Sequence, residues 1–144
     1  DELITAYLES RHQSWLARVN SAMKGVDDPA EKILAVFDAV GDYVALPGFR
    51  GCEFVNAAAE AREGSPEMRA AERFRRSLRD FFEDLATQTG VDDPKKLADQ
   101  LVVLHDGAIA TAQMDKASRD AALAARRMAR LALTAAGVPL TARP

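Results

Sequence analysis

The segment SPEMRAAERFRRSLRDFFEDLATQTG, residues 65–90, decides the fold class. Ala71, Phe74, Leu78, Phe81, Phe82 and Leu85 recur at threes and fours, so they share one side of a helix. Ser65 can accept a hydrogen bond from the first turn, Pro66 stands where a missing N–H costs nothing, and Gly90 offers the stop. The opposite side is charged, with Glu72 and Arg76, Arg76 and Asp80, and Arg79 and Glu83 at i,i+4, which reads as a solvated face. A helix with one apolar stripe must bury it against other elements.

Those elements are also helical. Towards the N-terminus, Leu3, Ile4, Tyr7, Leu8, Trp15, Leu16, Val19 and Met23 form a stripe on a helix that Gly25, Asp27 and Asp28 end. Asp28 reads as the next N-cap, with Pro29 behind it and Glu31 at capping-box spacing. Ile33, Phe37, Val40 and Val44 mark the second helix, which must stop by Leu46 because Pro47 and Gly48 follow. A short third helix is expected from about Cys52 to Arg62, with Gly64 after it.

Towards the C-terminus, Asp93 and Pro94 open a fifth helix, and Asp115 reads as the N-cap of a sixth that Gly137 and Pro139 terminate. From Leu97 to Ala112 the fifth is apolar nearly all round, a pattern expected of a helix covered on more than one side. The sixth carries Ala117, Ala121, Ala124, Ala125, Ala129, Ala132 and Ala135 beside Met128 and Leu131, small side chains that allow close helix approach. No stretch alternates apolar and polar residues in the manner of a strand. The expectation is an all-α bundle of about six helices, forming one domain over residues 1–144.

Composition narrows the function. The chain has 144 residues, 48% hydrophobic and 28% charged, and at that length a domain buries about two-thirds of its unfolded surface without staples. A formal net charge of -3 and a pI of about 5.4 supply no positive field for a phosphate backbone, so this segment is not expected to bind nucleic acid by itself. Cys52 is the only cysteine, which excludes an internal disulfide and fits a reducing compartment. No apolar run approaches the roughly 18 to 20 residues of a membrane span, and Asp1-Glu2 is the wrong opening for a signal peptide. The expected location is the cytoplasm.

Motifs for catalysis or cofactors are absent: no G-x-G-x-x-G, P-loop or G-x-S-x-G pattern occurs. No cofactor and no catalytic residue is therefore expected. Glu9 and His12 stand at the Glu-x-x-His spacing of di-iron bundles, but the second such pair is missing, because Val102 lies three residues before His105. Both are expected to be exposed, with no metal. His105 and Asp106 interrupt the apolar fifth helix. They are either a satisfied polar pair, in the core or at a subunit contact, or His105 faces a cavity and orients a ligand. Asn56, between Val55 and Ala57, either caps the preceding loop or addresses a ligand. Cys52 reads as a small packing residue, with only Arg50 nearby to activate it.

The segment Gly48-Phe49-Arg50-Gly51-Cys52-Glu53-Phe54-Val55-Asn56-Ala57-Ala58-Ala59-Glu60 resembles the G-C-x-F-x-N-A-x-x-E stretch found in one branch of the TetR-family regulators. Leu97 to Ala108 looks like the family's L-A-x-x-L-x-x-L-x-D-G-A helix, and Asp1-Glu2-Leu3-Ile4 looks like its K-x-E-L junction. The resemblance implies a two-part repressor: a helix-turn-helix head of roughly 50 residues before Asp1, lacking here, and a helical body that dimerises through its last two long helices and holds a ligand.

On that reading DNA is bound only through the upstream head. The partners of this body are a second copy and a small, mostly apolar effector in a pre-formed cavity. The cavity is expected among the first, second, fourth and fifth helices, with the short third helix as one wall. Trp15, Phe37, Phe54 and Phe81 would supply apolar contacts, and Asn56, His105 or Tyr43 polar ones. Dimer contacts are expected at Leu101, Leu104, Gly107 and Ala108 on the fifth helix, and at Ala121, Ala124, Met128 and Leu131 on the sixth. The alternatives are a helical adaptor without ligand, which a solid core would favour, and a small helical-bundle enzyme.

Overall fold

The computed structural model of the chain describes residues 2–116 and 118–141. Among them run six helices and no strand: α1 (Glu2–Met23), α2 (Pro29–Val44), α3 (Glu53–Glu60), α4 (Pro66–Gln88), α5 (Pro94–Met114) and α6 (Asp120–Ala135). Local chemistry sets most of the ends. Asp28, Ser65 and Asp93 accept from the backbone N–H of Ala30, Met68 and Lys96, satisfying donors that a helix start leaves free. At the far end Gly137, at φ 84°, lets its own N–H reach the Thr134 carbonyl and that of Val138 reach Leu133, which closes α6 and buries Val138.

Two boundaries differ from expectation. Asp115 does not cap α6; it is the last cap of α5, its N–H bonding to the Thr111 carbonyl. The sixth helix starts later, at Asp120, whose N–H is received by the Ser118 hydroxyl. Ala117, counted above among its small residues, lies outside the described residues, as does Asp1 of the junction sequence. The third helix is shorter than expected, because Ala61 already has extended backbone.

The core is organised around α2, which touches α1, α4, α5 and α6. Ile33, Leu34, Ala35, Val36 and Phe37 are consecutive and all buried, so this helix has almost no solvent face there. Gly41 lies against α6, where an added Cβ would stand 3.6 Å from that of Ala122, so small residues bring these two helices close. Ala122, Ala125, Ala129 and Leu133 of α6 are thereby buried within the chain's own core. The charged side of α4 is solvated at Glu72, Arg76 and Asp80, but Arg79 and Arg75 also reach across to Asp99 and Asp106 of α5.

The first helix is held differently. Of its 22 residues only Leu8 and Val19 are fully buried, against ten of 16 in α2. The N-terminal part of its apolar stripe is uncovered: Leu3 is 83% exposed and Tyr7 51%. A helix with so few buried residues moves at lower cost in free energy than one buried as α2 is.

Candidate functional site

Beneath the middle of α1, the side chains of five helices converge on a cavity. Ser14 and Trp15 come from α1, Tyr43 from α2, Glu53 and Phe54 from α3, Phe74 from α4, and His105 and Ile109 from α5. The first turn of α3 is brought here by the segment after α2. Gly51 takes φ 88° in that segment, with the Gln113 amide lying beside it. The left-handed backbone favours glycine there. Asn56 stabilises the same segment from outside, its amide donating to the Arg50 carbonyl at 3.0 Å.

Aromatic rings form the walls. Phe54 and Phe74 stack with centroids 3.9 Å apart, and Trp15 meets Phe74, Phe81 and His105 edge-on. His105, 1% exposed, has both ring nitrogens engaged. Indole N–H only donates, so Nε2 accepts from Trp15 Nε1 at 3.4 Å and the proton sits on Nδ1, which donates to Asp106 Oδ1 at 3.1 Å. Arg75 holds the same carboxylate. Burial opposes the charge on Asp106, but the hydrogen bond from His105 and the Arg75 guanidinium outweigh it and hold the carboxyl below its usual range.

A second polar cluster closes the opposite side. Tyr43 donates its hydroxyl proton to Glu53 Oε2 at 2.7 Å and lies 2.9 Å from the Gly51 carbonyl. Burial, and then the Glu53 hydrogen bond, push the phenol far above its ordinary pKa. Glu53 also faces Arg11, with Arg11 Nε 3.1 Å from Oε1, which ties α1 to α3. Burial raises the Cys52 thiol, so at neutral pH it is a protonated packing group in the lining rather than a nucleophile.

Of the seven residues named from sequence for a ligand, Trp15, Tyr43, Phe54 and His105 meet at this cavity. Three do not. Phe37, 1% exposed, stacks on Phe82 in the core. Phe81 packs beyond Trp15 and borders an outer groove with Arg73 and Asp84. Asn56 is exposed and engaged in the loop cap, the first of its two alternatives. Sequence reading missed Arg11, Arg18 and Phe74 as lining residues, although Arg11 and Arg18 flank Trp15 at helical spacing and so share its face. His12 is not simply exposed: it reaches Ser77 Oγ at 3.0 Å and packs edge-on against Phe54 and Phe74. Glu9 accepts from Gln13 instead.

The cavity is small. It encloses about 30 Å³, and an adjoining void walled by Val36, Val40 and the same Trp15 about 10 Å³. That is room for a couple of water molecules, against the several hundred Å³ of a drug-sized site. The expected pre-formed cavity is thus largely filled, because four stacked or edge-packed rings occupy it.

The uncovered apolar surface lies elsewhere. Val103 (69% exposed) and Met114 (75%) on α5, with Gly107 and Ala110 between them, form a stripe on the side facing away from the core. On α6, Leu123, Ala124, Met128 and Leu131 are likewise uncovered. Gly107, Ala124, Met128 and Leu131 of the expected contacts belong to this surface. Leu101 and Ala108 do not, being buried in the chain's own core, and Leu104 and Ala121 are partly buried against it. The apolar pattern of α5 runs all round the helix, so it could not say which side the core would take.

No protein-family model and no curated protein matches the chain. Solved structures do. A TetR-family transcriptional regulator from Streptomyces coelicolor superposes with a TM-score of 0.86 at 29% identity, over 94% of this chain and 72% of that one. A protein from Streptomyces avermitilis assigned as a TetR transcriptional regulator gives 0.80 at 31% identity, over 96% and 75%. A shared fold and an identity near one residue in three across nearly the whole chain lead to one conclusion: the chain belongs to the TetR family of transcriptional regulators.

Proposed function

We propose that residues 1–144 form a single effector-binding and dimerisation domain of a TetR-type repressor, cytoplasmic and without enzymatic activity, whose ligand controls DNA binding by an upstream helix-turn-helix head. The observation that carries this reading is the position of α1. It roofs the cavity through Trp15, it is anchored by only two fully buried residues, and its first turns expose Leu3, Ile4 and Tyr7 as a surface on which a preceding segment can pack.

A cavity of about 30 Å³ admits an effector only if a wall moves, and α1, with two fully buried residues, is a wall that can move without opening the core around α2. A ligand that binds the α1-displaced body better than the closed one shifts the population towards it, and the head moves with the helix. Two such bodies, joined by the uncovered faces of α5 and α6, would set two heads at a fixed spacing, as a two-fold operator requires.

The test joins two measurements. Small apolar compounds are titrated against Trp15 fluorescence, and those that bind are added to a mobility-shift assay of the chain carrying its natural upstream segment. The reading expects release of DNA by such compounds, and no complex from residues 1–144 alone, given the net charge of -3. A sequence-specific complex from residues 1–144 alone would refute it. A helical adaptor is the second reading, favoured by the smallness of the cavity; it expects no titration by any compound.

A further inference from the structure

The lining of the cavity is apolar on most sides but carries two guanidinium groups. Arg11 and Arg18 stand seven residues apart on α1, two turns of helix with Trp15 between them, and both line the space. Arg18 has no acidic partner among the described residues; its guanidinium lies over the Tyr43 ring, 5.8 Å from the centroid. Arg11 is near Glu53, yet its buried Nε has no partner in hydrogen-bonding geometry. Glu53, the single carboxylate of the lining, already receives the Tyr43 hydroxyl. The lining therefore holds two cations against one anion, with one cation unpaired and the other imperfectly bonded.

We infer that the ligand is a small aromatic monoanion, a carboxylate whose ring lies against Trp15, Phe54 and Phe74 and whose charged group is taken by Arg18, with Arg11 beside it. This rests on the effector reading above and names the chemistry of its ligand. A planar carboxylate matches the fork of a guanidinium with two parallel hydrogen bonds. A rigid ring suits walls made of ring faces and edges, and loses less conformational freedom on binding than a flexible chain. The same contact supplies the signal. A carboxylate that draws Arg11 away from Glu53 releases the tie between α1 and α3, so binding energy is directed at the helix that must move.

The experiment is calorimetric titration of the chain with 1-naphthoate and with 1-naphthamide, the same ring without the charge. Naphthoate should bind about ten- to a hundredfold more tightly, the range of a charge-assisted hydrogen-bonded pair, and less so as salt is raised. Arg18→Gln should bring naphthoate down to the amide's affinity and leave the amide unchanged, with helix content by circular dichroism as control; Arg18→Lys should restore part of the preference. Equal affinity for the two compounds, or a preference that survives Arg18→Gln, overturns the charge assignment while leaving an effector site in place. Absence of binding by both, and by neutral apolar compounds as well, overturns the effector reading and this inference with it.

Discussion

Leu131→Glu probes the pairing of two copies through α5 and α6. The side chain is 60% exposed in the single chain, and fully burying a leucine contributes about 1.5–3 kcal/mol, so covering the exposed part in a dimer contributes about 1–2 kcal/mol. Two-fold symmetry presents the residue twice, which makes about 2–4 kcal/mol, or roughly thirty- to several-hundredfold in the dissociation constant. A glutamate stranded in the interface adds to that loss. Sedimentation equilibrium across the micromolar range should show a dimer for the parent and a monomer of unchanged helicity for the variant. Leu101→Glu, at a residue 0% exposed, should instead unfold the chain. A parent chain that is monomeric at micromolar concentration, or a Leu131→Glu variant as dimeric as the parent, would refute the assignment of this face.

His105→Leu removes the partner of the Trp15 indole N–H and one of the two groups that hold Asp106. The expected loss is about 1–2 kcal/mol and a thermal midpoint lower by a few degrees, with a changed Trp15 emission; an unchanged midpoint and spectrum would show that these bonds contribute nothing. Asp106 has a folded pKa below its ordinary 3.8, so its contribution to stability is complete above that value and disappears as the pH falls through it towards the folded value. Asp106→Asn should therefore be less stable at neutral pH and lose stability less steeply below about pH 5 than the parent in denaturant titrations; parallel curves would contradict this. Because burial raises the Cys52 thiol, alkylation at pH 7.5 should be slow in the folded chain and should speed up severalfold in denaturant, and equal rates would count against a buried, protonated thiol.

How much of this was legible in the sequence follows from the range over which each feature is set. Helix number, order and most starts depend on neighbours within one turn: Ser65, Asp28 and Asp93 bond to backbone groups two or three residues on, and a linear reading can find them. Asp115 misled because an acidic residue after one helix and before another fits either terminus, and only the turn that followed decided which. Arg11 and Arg18 were passed over because a charged residue between apolar ones ordinarily marks a solvent face. Their place in the cavity arises from other helices: Glu53 of α3 meets Arg11, and Tyr43 of α2 lies beneath Arg18.

The sequence by itself determined an all-α chain of six helices with a family signature from Gly48 to Glu60, since periodicity and caps are local properties of the backbone. Only the tertiary structure separated residues of the same type by role. Phe37 and Phe54 are both aromatic and buried, yet one stacks in the core and the other walls the cavity. Leu101 and Val103 are two residues apart on α5, about 200° around the helix, and packing against α2, α4 and α6 sends one inward and leaves the other uncovered. Apolarity drives a side chain out of water without saying which surface receives it, because the hydrophobic effect has no direction; helix contacts distant in sequence supply that direction.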